Sequence, residues 1–223
     1  MATDVEYYTR LAAEKLNKRQ DDDAVTNFKE AVEHAEKLHD VEAICKCKFN
    51  LGAALVALGR ASEGLKLLEF AVPSQHDCLL TGDLHYNLCL AHETLDHRAE
   101  AISCIQKAIK CYSECSDTAL VTLLKAGSYC RLGFLYTKLQ KFEPAAEAYA
   151  DAACSYGTAN VVPQQASCLF QQARMLGCCC KDADAIVIAD RCAKLCLEYP
   201  DAGVGKLVFR YILMVRTFEF FHV

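Results

Sequence analysis

Tryptophan is absent from this 223-residue chain, and only four prolines and ten glycines occur. Proline cannot continue a helix interior and glycine weakens one, so their scarcity favours helices over a sheet of many short strands. A basic excess is also missing, because the formal net charge is −5. That argues against a nucleic-acid or anionic-membrane partner, each of which is held through Lys- and Arg-rich surfaces. No apolar run is long enough to span a bilayer. The nearest candidate, Leu207 to Val223, is interrupted by Arg210, Arg216 and Glu219. The opening Met1-Ala2-Thr3-Asp4-Val5-Glu6 lacks the basic patch and apolar core of a secretion signal, so a cytoplasmic location is expected.

Catalytic signatures are equally scarce. No Gly-x-Ser-x-Gly elbow and no His-Glu-x-x-His helix occurs. Gly203-Val204-Gly205-Lys206-Leu207 fails as a phosphate loop: the first glycine stands too close, and Leu207 replaces the hydroxyl that would hold magnesium. The chain is expected not to be an enzyme, with no catalytic residue and no cofactor.

Cysteine is what the chain has in quantity, with 15 residues. The count is odd and no secretion signal precedes them, so free, mostly buried thiols in a reducing compartment are expected. Cys178-Cys179-Cys180 cannot converge on one ion, since consecutive helical side chains diverge. Cys104, Cys111 and Cys115 form a stripe, and Cys192 and Cys196 share a face, but no paired spacing completes a four-ligand zinc site. His85, Cys89 and His92 lie on one helical face with metal-compatible spacing, yet all three occupy ordinary packing positions of the pattern described next. No metal site is expected. Asp21-Asp22-Asp23 suits the positive end of a helix dipole.

A repeat organises the chain. Starting at Gly133, a small residue recurs twelve later (Ala145), a larger one four after that (Tyr149), and a small one three further (Ala152). The same spacing joins Ala12, Ala24, Phe28 and Ala31; Gly52, Gly64, Leu68 and Ala71; Cys89, Ala101, Ile105 and Ala108; and Ala173, Ala185, Ala189 and Cys192. All fifteen small slots hold Ala, Gly or Cys. Leu11, Leu51, Leu88 and Leu132 precede the first slot, with Gln172 the exception. Offsets of three and four put these residues on one helical face. Two antiparallel helices approach closely only where side chains are small, and one such hairpin cannot bury its apolar face alone, so hairpins stack. Helix pairs are expected at about 4–38, 41–72, 78–115, 118–156 and 163–198, with Gly59 closing one first helix and Pro73 and Pro163 separating pairs.

The pattern resembles the tetratricopeptide repeat, most clearly in Tyr129-Cys130-Arg131-Leu132-Gly133-Phe134-Leu135-Tyr136 with Phe142-Glu143-Pro144-Ala145 and Tyr149-Ala150-Asp151-Ala152. First slots are separated by 40, 37, 44 and 40 residues, intervals similar to those of LGN-type adaptors. The resemblance implies an all-α fold: a right-handed superhelical solenoid of about five helix-turn-helix repeats over 1–200. A C-terminal helical or irregular tail over 201–223 would act as a cap or a truncated repeat. It further implies a non-catalytic protein-protein interaction scaffold, with a partner peptide or helix in its concave groove.

In such stacks the first helices line the groove, through residues six, three and two before the first slot and one and four after it. In the middle of the array this selects Lys46, Phe49, Asn50, Ala53 and Val56. The next repeat supplies Asp83, Tyr86, Asn87, Leu90 and Glu93. Cys130, Arg131, Phe134 and Thr137 follow, then Phe170, Gln171 and Arg174. Aromatic rings supply anchoring area, and amides bond backbone donors and acceptors. Chaperone-binding members grip a terminal carboxylate with a clamp of two Lys, two Asn and one Arg. Asn87 and Arg131 match it, but Phe49, Ala53 and Gly127 stand at its other places, so that ligand is not expected. Two alternatives to the scaffold reading stay open: a structural segment of a larger assembly that self-associates through the apolar tail 204–223, and a cysteine-based redox or metal-responsive module.

Overall fold

The computed structural model describes residues 2–71 and 77–199. The separator expected at Pro73 and the tail expected over 201–223 lie outside them. Ten α-helices and no strand occur among the described residues. They are α1 (Ala2–Asn17), α2 (Asp21–Leu38), α3 (Val41–Ala57), α4 (Ala61–Phe70), α5 (Cys78–Thr94), α6 (Arg98–Glu114), α7 (Ala119–Lys138), α8 (Phe142–Thr158), α9 (Val162–Cys178) and α10 (Asp182–Glu198). None is long and apolar enough to cross a membrane. The chain divides into two compact units, Met1–Glu114 with α1–α6 and Cys115–Val223 with α7–α10.

Helix starts have local causes. Asp40 Oδ1 accepts from the Glu42 and Ala43 amides at 3.0 and 3.1 Å, Asp77 Oδ1 from Leu80 at 2.9 Å, and Thr118 Oγ1 from Val121 at 3.2 Å. These bonds satisfy amides at the starts of α3, α5 and α7 that have no partner within the helix. Pro163 occupies the first turn of α9, where its missing N–H costs nothing. Asp21, Asp22 and Asp23 form the first turn of α2.

Within each unit every helix packs on its chain neighbour, and α3 also touches α5. All fifteen small-slot residues are buried. Gly52 lies under Leu68, whose Cγ would stand 2.9 Å from an added Cβ, and Gly133 lies under the Tyr149 ring at 3.0 Å. The small residue of a first helix therefore receives the larger residue of its second helix. Ile105 and Leu68 are fully buried at that larger position. Each such side chain contributes roughly 1.5–3 kcal/mol by leaving water.

The turn inside every pair is built one way. Arg19, Gly59, Asp96, Gln140 and Cys180 all have φ between +54° and +80°, and each stands seven residues after a first slot. The next amide bonds back five residues, as in Gln20 N to Lys15 O at 3.0 Å and Lys181 N to Leu176 O at 3.0 Å. This closure satisfies carbonyls left open at the helix end. Only one of the five residues is glycine, although side chains are penalised in the left-handed region. Gln140→Gly and Cys180→Gly are each expected to stabilise the chain by about 0.5–1 kcal/mol, and Gly59→Ala to destabilise it similarly. Urea midpoints check this; a loss of stability in both glycine variants would contradict the turn geometry.

Candidate functional site

The first helix of each pair carries the candidate surface. Of the residues selected from Lys46 to Arg174, Val56 alone is buried, whereas every slot beside them is. The two units are described separately.

In the α1–α6 unit, a cleft of about 620 Å³ opens between α1 and α3. Lys46 and Asn50 line it from α3, and Glu6, Thr9, Arg10 and Ala13 from α1. The register rule applied to the slot at Ala12 selects these four α1 residues, and also Leu16, which packs in the core instead. Restricting the rule to the middle of the array missed them, although the signal was present. The cleft carries both signs of charge. Lys46 Nζ bonds Glu42 Oε1 at 2.7 Å, and that bond raises the Lys46 pKa.

Other selected residues serve the fold. Val56, expected to face inward, is buried in the core between α3 and α5 with Leu68, Ala71 and Leu84. Gly64 has no side chain, and Val56 fills that space. Phe49 and Leu90 are half-buried and pack on the same core. Asp83 accepts the Tyr112 hydroxyl at 2.6 Å. Burial raises the Asp83 pKa and the Tyr112 hydroxyl opposes that rise; the Tyr112 pKa is pushed upward, chiefly by burial. Asn87 Nδ2 donates to the Asp83 carbonyl of its own helix at 2.9 Å, so the amide is partly committed to α5. Ala53, Tyr86 and Glu93 remain half-buried.

In the α7–α10 unit, rings and cations are set together. Arg131 lies 6.0 Å from the Phe134 ring centre, Lys138 Nζ 4.6 Å from the same ring, and Arg174 6.0 Å from the Phe170 ring. Gln171 Oε1 accepts from Arg174 at 2.9 Å. Phe134 is 38% exposed, so part of its ring stands open on this face. Thr137, expected on this face, instead turns its hydroxyl to the Gly133 carbonyl and to the Met175 sulfur at 3.2 Å. Lys138, one residue on and not selected from sequence, takes the place over Phe134. Cys130 and Phe170 are half-buried against the core of Ala166, Cys168, Leu169 and Ala173.

The remaining sequence candidates separate. His92 approaches His97, with Nδ1 atoms 3.5 Å apart, and burial lowers the pKa of His92, with His97 adding to it. His85 is also lowered by burial, and its Nδ1 is a buried atom without a protein partner. Only Cys178 of the cysteine triplet is helical: Cys179 ends α9 and Cys180 adopts the left-handed turn. No group of three or more His, Cys, Asp or Glu that would hold a metal ion occurs among the described residues.

Paired helices with this slot-and-turn geometry have known counterparts. Residues 126–153 match the tetratricopeptide repeat. The matched segment covers most of α7 and the first part of α8, around Gly133, Ala145, Tyr149 and Ala152. Similar solved structures extend the likeness over nearly the whole chain. MamA is 17% identical over 90% of this chain and 96% of its own, with a TM-score of 0.67. A Podospora anserina putative kinesin light chain with nearly identical tetratricopeptide-like repeats is 15% identical over 88% and 96%, with a TM-score of 0.69. A signal transduction ATPase with a tetratricopeptide repeat sensor, from Pyrococcus horikoshii, is 19% identical over 96% of this chain and 33% of its own, with a TM-score of 0.76. At these identities the likeness shows the fold: helical pairs of the tetratricopeptide-like solenoid class.

Proposed function

We propose that the chain is a non-catalytic scaffold that holds a segment of a partner protein against its first helices, and that the face of α7 and α9 takes an acidic segment. The observation that carries this is a segregation of charge. Helices α7 and α9 contain Lys125, Arg131, Lys138 and Arg174 and no Asp or Glu. Helix α8, the second of its pair, carries Glu143, Glu147 and Asp151 and no Lys or Arg. A cationic face within a chain of net charge −5 steers acidic partners to one surface. Phe134 and Phe170 add apolar area beside those charges, so acidic residues interleaved with apolar ones complement the face.

The likeness to a Rap protein solved in complex with Competence and Sporulation Factor supports a peptide or protein ligand; it is 14% identical over 89% of this chain, with a TM-score of 0.61. The cleft between α1 and α3 supports a second contact region of mixed charge. Within the tetratricopeptide repeat family, the finer resemblance is to tetratricopeptide repeat protein twenty-four and more distantly to LGN-type adaptors. Cys47-Lys48-Phe49-Asn50-Leu51-Gly52-Ala53-Ala54, Gly64-Leu65 and Ala71-Val72-Pro73 support it. A cytoplasmic protein fits this reading.

The test uses short fluorescent peptides in which Glu alternates with Leu, with Lys-for-Glu peptides as controls. The intact chain is expected to bind the acidic set more tightly, and added salt should weaken that binding. Arg131→Glu, Lys138→Glu and Arg174→Glu together should weaken it at least roughly tenfold, about 1.4 kcal/mol, with helicity unchanged. Equal binding of acidic and basic peptides, or an intact affinity in the triple variant, would remove this face as the site. Preference for single-stranded RNA over the acidic peptides would overturn the protein-ligand reading. Phe49 is unsuited to such a test, because its packing on the α3–α5 core mixes stability with binding.

A further inference from the structure

Fifteen thiols invite the question of whether any two are placed to react. One hydrogen-bonded pair joins α7 and α9, the first helices of their unit. Cys130 lies half-buried on α7, beside Arg131, and Cys168 lies on α9 with 2% of its surface exposed. Their side chains hydrogen-bond each other. Both belong to one packed cluster with Ala166 and Ala173, so the helices carrying them are held together by the core.

We propose that Cys130 and Cys168 form a dithiol that hydrogen peroxide converts into an intramolecular disulfide joining α7 to α9. The shared hydrogen bond makes the two sulfurs neighbours, and a bridge closes them to the ~2.05 Å of an S–S bond.

The two thiols differ in the way this chemistry needs. The bond to Cys168 lowers the Cys130 pKa, with Arg131 adding to it and burial opposing. The same bond raises that of Cys168, with burial adding to it. Cys130, half-buried beside Arg131, is the thiol that peroxide reaches, and Cys168, 2% exposed, is the thiol that resolves. In the first step the Cys130 sulfur attacks one peroxide oxygen and the O–O bond breaks. The departing hydroxide takes up the proton released when Cys130 ionised, which leaves water and a sulfenic acid. In the second step the Cys168 sulfur attacks the Cys130 sulfur and the S–O bond breaks. The departing hydroxide takes the Cys168 proton as a second water. Two thiols lose two electrons and two protons, and one peroxide becomes two waters.

The hydrogen-bonded pair Cys192 and Cys196 lacks an exposed member. Cys192 and Cys196 sit one turn apart on α10, both buried, and burial raises both pKa values. Cys47 and Cys104 are raised by burial as well. Cys130 shares its face with Arg131 and Phe134, so the bridge would alter the surface assigned above to the partner.

The experiment treats the reduced, intact chain with stoichiometric hydrogen peroxide, blocks remaining thiols with N-ethylmaleimide and maps tryptic peptides by mass spectrometry. Peptide 126–131 contains Cys130 alone, and peptide 142–174 contains Cys154 and Cys168. The expected product links these two peptides through Cys168, with Cys154 alkylated and the intact mass lower by two hydrogens. In Cys168→Ser, Cys130 should halt as the sulfenic acid, and its dimedone labelling should rise at least roughly fivefold. In Cys130→Ser, Cys168 should stay unoxidised. Cys168→Ala provides a second resolving-thiol variant, and circular dichroism verifies helicity in each. A bridge to Cys154, or Cys130 oxidised without a bridge or left untouched in the native chain, would overturn the proposal. None of these readouts involves a partner, so failure here is distinguishable from failure of the binding reading.

Discussion

Replacing Tyr112 with alanine is expected to destabilise the α1–α6 unit by about 3–5 kcal/mol, the range for deleting a buried aromatic side chain. Tyr112 is 1% exposed and is the largest fully buried side chain among the described residues. Its ring lies against the backbone of Gly82, where an added Cβ would stand 2.5 Å from ring carbon Cε1. Its hydroxyl donates to Asp83 Oδ1 at 2.6 Å. Alanine would remove the ring from between α6 and α5 and leave a half-buried carboxylate without that donor. Phenylalanine retains the ring and loses only the hydrogen bond, at about 1–2 kcal/mol.

The pH dependence separates these effects. Burial already raises the Asp83 pKa, and the Tyr112 hydroxyl counteracts that. Without the hydroxyl the folded-state pKa rises further. A carboxyl whose folded pKa exceeds its unfolded value binds more protons when folded, so its penalty is largest at neutral pH and fades as pH falls through the folded pKa. The deficit of Tyr112→Phe should shrink on acidification, while the cavity cost of Tyr112→Ala should persist. Urea unfolding at pH 7 and below checks both. An alanine variant no less stable than the phenylalanine variant would show that the ring is not packed as described.

The second large effect is a difference of sign between two identical substitutions. Exchanging glycine for alanine in a helix interior stabilises by about 1 kcal/mol when the site is open. Gly127, within α7, is such a site: the nearest atom to a new Cβ is the Tyr156 hydroxyl at 3.8 Å. Gly127→Ala should stabilise by about 0.5–1 kcal/mol. At Gly64 the new Cβ would stand 2.6 Å from Val56 Cγ2 and 2.7 Å from the Gly52 carbonyl oxygen. A carbonyl cannot rotate away as a side-chain end can, so α3 and α4 would have to separate. Gly64→Ala should destabilise by about 1–3 kcal/mol despite its better helix propensity. Gly133→Ala belongs between them, because only the Tyr149 ring, at 3.0 Å, has to yield. Chemical denaturation of the three variants checks the order; a stabilised Gly64→Ala would mean that α3 and α4 are not in close contact.

Much of the architecture was legible because side-chain size is a property of single residues. Ala12, Ala24 and Ala31 announce a close helix approach at fixed spacing whatever surrounds them, and all are fully buried. The lining register, applied to the slot at Ala12, reaches Glu6, Thr9, Arg10 and Ala13 of the α1–α3 cleft. The turns were less legible. Gly59 marks its own, but Gln140 and Cys180 have no residue-type signature for the left-handed backbone they adopt.

The sequence by itself determined the repeat, the helical pairs and the acid-free composition of α7 and α9, since spacing, side-chain volume and charge are written locally. Only the tertiary structure decided which members of a lining set remain available. Tyr112 claims Asp83 from 29 residues away, Met175 takes the Thr137 hydroxyl from 38 away, and Cys168 meets Cys130. Such pairings depend on how adjacent helices rotate about their own axes. That rotation is set by the combined packing of all their neighbours, which no single repeat encodes.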